Sequence, residues 1–106
     1  MSEAPRVTLE DIEAEIDSEH CFSALDGVDG YFRGGPEAQA VENASTLKRL
    51  TLCVLVLKNG YSVVGQSSPV SSDNYDSKLG RKFARKDAID KIWPLHGFRL
   101  RDKIAG

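Results

Sequence analysis

Leu50-Thr51-Leu52-Cys53-Val54-Leu55-Val56-Leu57, followed by Lys58-Asn59-Gly60 and Tyr61-Ser62-Val63-Val64-Gly65, is the stretch that decides the fold. Its first part is the only strongly apolar run in the chain. Asn-Gly between two β-rich segments is the best short-range signal of a hairpin, because a two-residue turn of that type needs positive φ. With two turn residues, Lys58 faces Tyr61, Val56 faces Val63 and Val54 faces Gly65. The first strand is apolar on both faces, which predicts a central position covered on each side. Gly65 marks a bulge or the end of its strand. Two strands are marginal in water, so a third is expected from Phe22 and its neighbours or from the C-terminus.

Downstream, Gln66-Ser67-Ser68-Pro69-Val70-Ser71-Ser72 is a polar connection. Ser72 or Asp73 can cap a helix that runs from Asn74 to about Ile92 and stops at Pro94, since the residue before proline avoids the helical region. Gly80, Ala84 and Ala88 recur every fourth residue and predict a seam pressed on the sheet. Leu79 and Phe83 flank it, and Ile89, Ile92 and Trp93 extend it, with Trp93 plugging the core beside Leu95 and Phe98. Lys78, Arg81, Lys82 and Arg85 form a basic stripe on another side. Over Phe98 to Ile104 periodicity allows either a short strand or a helical turn.

Upstream, Thr8-Leu9-Glu10-Asp11 fits a capping box opening a helix over Thr8 to Ser18. Leu9, Ile12 and Ile16 make a narrow apolar stripe, so this helix lies on the outside of the domain. Between Asp26 and Thr46 the Asp-Gly pairs and Gly34-Gly35-Pro36 break any lasting period; Ala38 to Glu42 suits one turn of helix.

A chain of 106 residues with 41% hydrophobic and 28% charged content is an ordinary globular domain. The expectation is one α+β domain over 1–106: an antiparallel hairpin, extendable to three strands, packed by one long C-terminal helix and a short acidic N-terminal helix. Residues 1–7 are expected to be flexible and 26–46 rich in loops. The apolar run is too short to span a bilayer. No secretory signal is seen at the N-terminus, so the cytoplasm is the expected compartment. Two cysteines make no disulfide framework, and neither Cys21 nor Cys53 has partners at metal-ligand spacing.

The net charge of −2 hides a sorted distribution: nine acids against Arg6 in residues 1–30, and twelve bases against five acids in residues 48–106. Either the acidic helix folds back on the basic one, which is the plainer reading, or each meets a partner.

Leu52 to Gly65, Asn74-Tyr75-Asp76, Gly80, Arg81, Ala84, Ala88 and Lys91-Ile92-Trp93-Pro94-Leu95-His96-Gly97-Phe98 resemble the small tailed-phage and prophage proteins catalogued as gene products forty-nine and sixty-six. The resemblance covers about 50–104, with a weaker echo at Glu19-His20-Cys21-Phe22-Ser23-Ala24. Family members often carry Glu where Gln66 and His96 stand, so a role resting on either acid is lost here. The resemblance implies phage origin, hence the host bacterial cytoplasm, and no agreed activity.

No catalytic, cofactor or metal constellation emerges. His20 and His96 accompany no motif and read as surface or satisfied residues, and the chain is expected not to be an enzyme. The leading expectation is an accessory protein that binds and modulates a host protein, in an anti-defence role, through the acidic face of Glu10, Asp11, Glu13, Glu15 and Asp17. The alternative is a binder of an anionic, nucleotide-type ligand at the start of the long helix, with Ser71, Ser72, Lys78, Arg81 and Arg85 as contacts and a homo-oligomer as its form. Nucleic-acid binding through the basic stripe comes last, because the chain as a whole is acidic.

Overall fold

The computed structural model describes residues 6–32, 41–69 and 75–105. Elements follow in the order α1 (Leu9–Glu15), β1 (Ile16–Ser23), α2 (Ala24–Phe32), α3 (Ala44–Arg49), β2 (Thr51–Leu57), β3 (Ser62–Ser67) and α4 (Ser77–Ala105). The three strands form one antiparallel sheet in the order β1-β2-β3. This is the expected α+β domain, with the third strand supplied by Phe22 and its neighbours.

The hairpin forms one residue out of the expected register. Leu55 pairs with Val63, Val54 with Val64 and Cys53 with Gly65. The loop holds three residues: the Gly60 amide donates to the Leu57 carbonyl at 2.8 Å and the Leu57 amide to the Tyr61 carbonyl at 2.7 Å. Only Gly60 takes positive φ, at 89°. Asn59 instead turns its side-chain carbonyl onto the Tyr61 amide, which suits the three-residue hairpin loop with glycine last.

That register sorts the side chains. Thr51, Cys53, Leu55 and Leu57 of β2 are buried under α4, while Leu52, Val54 and Val56 are only half-buried. The second face of the sheet is open, with Phe22 and Val64 exposed. β2 is therefore central but covered on one side, not both. The core holds Ile12, Cys53, Leu55, Leu57, Val63, Ala84, Ala88, Ile89 and Ile92.

α4 lies across the sheet with Ala84 and Ala88 inward, and the crossing is set by glycine. A Cβ on Gly65 would overlap the Ala84 carbonyl oxygen and the Ala88 amide, so Gly65 is the point of closest helix–sheet approach rather than a bulge. A Cβ on Gly80 would stand 2.5 Å from Thr51 Oγ1, the second such point. α4 also closes the edge of β3: Asp87 accepts from the Gln66 amide at 2.9 Å and Lys91 donates to the Val64 carbonyl. Those backbone groups are thus withdrawn from pairing with another strand.

Several boundaries differ from expectation. Asp76, not Ser72 or Asp73, caps α4 by accepting from the Lys78 and Leu79 amides; residues 70–74 lie outside the described residues. The helix passes through Pro94 and runs on to Ala105. Proline costs about 3 kcal/mol inside a helix, and the turn beyond it is held by tertiary contacts. His96 is buried and Arg99 bonds Glu15 of α1 at 3.0 Å. Leu95 and Phe98 are exposed, so Trp93 packs against the core without them.

α1 has the expected capping box, with Thr8 and Asp11 exchanging bonds, but ends at Glu15 because Ile16 enters β1 opposite Leu57. Only Ile12 of its stripe is fully buried. Within 26–46, α2 and α3 are ordered elements rather than loop. α2 opens with a second capping box, Ser23 with Asp26. Ala38 to Ala40 lie outside the described residues.

Candidate functional site

Part of the sorted charge is paired inside the molecule, through Arg85 and Arg99 of α4. Arg85 of α4 reaches α1 and β1 together, donating to both Glu13 oxygens at 2.9 and 2.6 Å and to Glu19 at 2.6 Å. Arg99 binds Glu15. The Arg85 guanidinium holds the Glu13 carboxyl below its usual range, and both glutamates raise the pKa of Arg85. Of the expected acidic face, Glu13 and Glu15 are therefore ion-paired, Asp11 is tied to its cap and Asp17 has moved into β1. Glu10 stays exposed. The plainer reading, acidic helix on basic helix, is the one formed.

This pairing has a testable consequence. Arg85→Ala lowers stability by about 1 kcal/mol at neutral pH, since the pairs are partly solvated. A depressed glutamate pKa stabilises the fold above its ordinary value of 4.5. That contribution is lost as pH falls through the lower folded-state value. Urea unfolding of both proteins should show the gap closing in acid.

The basic stripe divides as well. Arg85 is taken up as above, while Lys78, Arg81 and Lys82 are exposed with no ion-pair partner among the described residues. Ser71 and Ser72 lie outside the described residues. The first amides of α4 are not free for an anion, because the Asp76 carboxylate accepts from two of them.

Arg81 instead faces a cleft of about 340 Å³. Its walls come from β1 (Cys21, Phe22, Ser23), α2 (Leu25, Asp26), α3 (Lys48), β2 (Thr51) and the start of α4 (Tyr75, Ser77, Arg81). Lys48 is the second cation, and it too has no ion-pair partner among the described residues. Asp26, the one acid, accepts from the Ser23 amide. Two cations, the hydroxyl-bearing residues Ser23, Thr51, Tyr75 and Ser77, and the aromatic residues Phe22 and Tyr75 thus border one hollow. The volume is at the lower end of small-molecule sites. A larger hollow beside Thr8, Leu9, Glu10 and Glu13 is wide open and mostly apolar.

Sequence reasoning named Arg81 but missed Lys48, Tyr75, Ser77 and Ser23. Lys48 carries no local signal, as only the turn from α3 into β2 brings it beside α4. Ser23 was findable through its capping box.

The remaining chemistry is sparse. Cys21 and Cys53 are free thiols opposite one another on β1 and β2. Burial, aided by Cys21, pushes the Cys53 thiol up to about 12, so it is protonated at neutral pH and no nucleophile. His20 is exposed and shares a hydrogen bond with Ser18. Among the described residues no cluster of His, Cys, Asp or Glu is placed to hold a metal ion, and no helix is long and apolar enough to cross a membrane.

Fold and site define a small α+β protein with a polar cleft between β1, α3 and the start of α4. The profile of the family described as Phage protein (N4 Gp49/phage Sf6 gene 66) matches residues 7–104. The chain belongs to that family, and the match takes in α1, β1 and α2 as well as the expected 50–104. No curated protein and no solved structure matches the chain.

Proposed function

We propose that this phage protein is a non-enzymatic binding protein that takes up a phosphate-bearing, nucleotide-type molecule in the cleft between β1, α3 and α4. The carrying observation is that Lys48 and Arg81, from separate elements, turn into one hollow without acid partners among the described residues. A guanidinium and an ammonium beside hydroxyl donors suit a phosphate, since charge-assisted bonds are the strong ones. Phe22 and Tyr75 offer faces for a base. In the host cell such capture withdraws a nucleotide from the process it serves, which is how an accessory protein of this kind blunts a defence signal.

Calorimetry of the full chain against mono-, di- and cyclic nucleotides tests this. At least one is expected to bind, with Arg81→Ala and Lys48→Ala each weakening it by roughly tenfold or more. Absence of heat for the whole panel, or unchanged affinity in both variants, refutes the reading.

The open sheet face favours a second reading, a host protein as partner. Phe22, Leu52, Val54, Val56 and Val64 present apolar surface there, whereas two of the five acidic residues first expected to make that contact, Glu13 and Glu15, are ion-paired within the chain. Val64→Asp would abolish capture of a host protein bound there and leave nucleotide binding intact.

A further inference from the structure

The chain has two cysteines, and the fold sets them opposite one another: Cys21 of β1 pairs with Cys53 of β2, and both are free thiols. The phase of the ladder decides how close they stand. The Ala24 amide donates to the Leu50 carbonyl at 2.8 Å, and the register then runs unbroken from Ser23–Thr51 to Ser18–Val56. Hydrogen-bonded and non-hydrogen-bonded pairs alternate along an antiparallel ladder. Phe22–Leu52 and His20–Val54 are therefore the pairs that exchange backbone bonds, and Cys21–Cys53 between them is a non-bonded pair. Such pairs hold their Cα atoms about 4.5 Å apart, the closer of the two spacings, with both side chains on one face of the sheet. A disulfide accepts Cα separations of about 4.4–6.8 Å.

We propose that Cys21 and Cys53 are a redox modification site, converted to a cross-strand disulfide by an anionic low-molecular-weight disulfide that enters through the cleft. The two sulfurs have different parts. Cys53 is fully buried beneath α4, whereas Cys21 is half-buried and lines the cleft that Lys48 and Arg81 also line. Cations at a cleft raise the local concentration of an anion, and oxidised glutathione carries carboxylates. Cys21, its proton given up to water, attacks one sulfur of that disulfide, whose S–S bond breaks. One glutathione leaves as a thiolate and takes up a proton. Cys53 Sγ then attacks Cys21 Sγ, the mixed disulfide breaks, and the second glutathione leaves with the proton that Cys53 loses. Two protein thiols are oxidised and one glutathione disulfide is reduced to two thiols.

The bond is built to be labile. Cβ atoms of directly opposed residues lie about 4.5–5.5 Å apart, whereas a disulfide holds them about 3.5–4.5 Å apart. Closing it draws β1 and β2 together at this pair. α4 resists the adjustment, because it is already in contact with the sheet at Gly65, the β3 partner of Cys53. Strained disulfides are the readily reduced ones, so the bond forms and opens with the redox state around the protein. The nucleotide reading rests on Lys48 and Arg81 and needs neither sulfur, so the two are tested by different readouts and fail separately.

Intact-mass spectrometry of the folded full chain, after treatment with oxidised glutathione and alkylation of the remaining thiols, tests this. The wild type is expected to lose two hydrogens, to carry no alkyl group and to run as a single chain under denaturing, non-reducing conditions. Dithiothreitol is expected to restore both thiols. Cys53→Ala is expected to stop at one glutathione, attached to Cys21. Cys21→Ala is expected to stay unmodified, since Cys53 is buried. Circular dichroism of each variant should match the wild type, and the wild-type result decides the matter even where a variant fails to fold. Two alkylated thiols on the treated wild type, a lasting glutathione adduct on it, or a disulfide that joins two chains overturns the proposal. So does an internal bond that forms only after urea has unfolded the chain.

Discussion

Gly65→Val is expected to be the most damaging single substitution, costing about 3 kcal/mol or more. The reason is backbone, not side chain. A Cβ at Gly65 runs into the carbonyl oxygen of Ala84 and the amide of Ala88, neither of which can rotate aside. Relief requires α4 to lift from the sheet, and lifting opens the layer that holds Cys53, Leu55 and Ala88. It also pulls Asp87 and Lys91 away from the backbone groups of β3 that they satisfy. Gly30→Ala is the matched control, because Gly30 sits in α2 with nothing within 4 Å of an added Cβ. Its removal should be neutral or stabilise by up to about 1 kcal/mol. Urea denaturation of both variants reads the contrast, and equal midpoints for Gly65→Val and the wild type would show that the helix does not cross there.

Leu55→Ala is expected to cost about 2–5 kcal/mol. Leu55 is fully buried on the central strand, opposite Val63 and beneath α4. The cost should fall in the upper part of that range, because the surroundings cannot close over the void. Helix and sheet are already in contact at Gly65 and Gly80, so α4 has no freedom to settle. Phe98→Ala, a larger truncation at a residue 70% exposed, should leave the urea midpoint of dilute protein nearly unchanged. A domain of this size has only about 5–15 kcal/mol in hand, so Leu55→Ala should be near the edge of folding at physiological temperature.

The hairpin and the long helix were legible because their signals are local. An apolar run ended by Asn-Gly and small residues every fourth position each point to one structure. The register was not legible to the residue, since Asn59 can take positive φ or accept the Tyr61 amide, and the structure uses the second. α2 was hidden by Gly27 and Gly30, which read as turns, although Ser23 and Asp26 already spelled its cap. The continuation of α4 through Pro94 goes with contacts far apart in sequence, such as Arg99 to Glu15 some eighty residues away, which no local window contains. The cleft was half legible. Arg81 stood in a visible stripe, whereas Lys48 joins it only through tertiary structure.

Titration of the isotope-labelled chain with a nucleoside monophosphate, followed by amide chemical shifts, tests the functional account most directly. The account predicts saturable shifts clustered at Ser23, Lys48, Ser77 and Arg81, with the amides of the α4 tip from Arg101 to Ile104 unmoved. Shifts confined to that basic tip and growing linearly without saturation would contradict it, as they would mark diffuse attraction to exposed charge in place of a binding site.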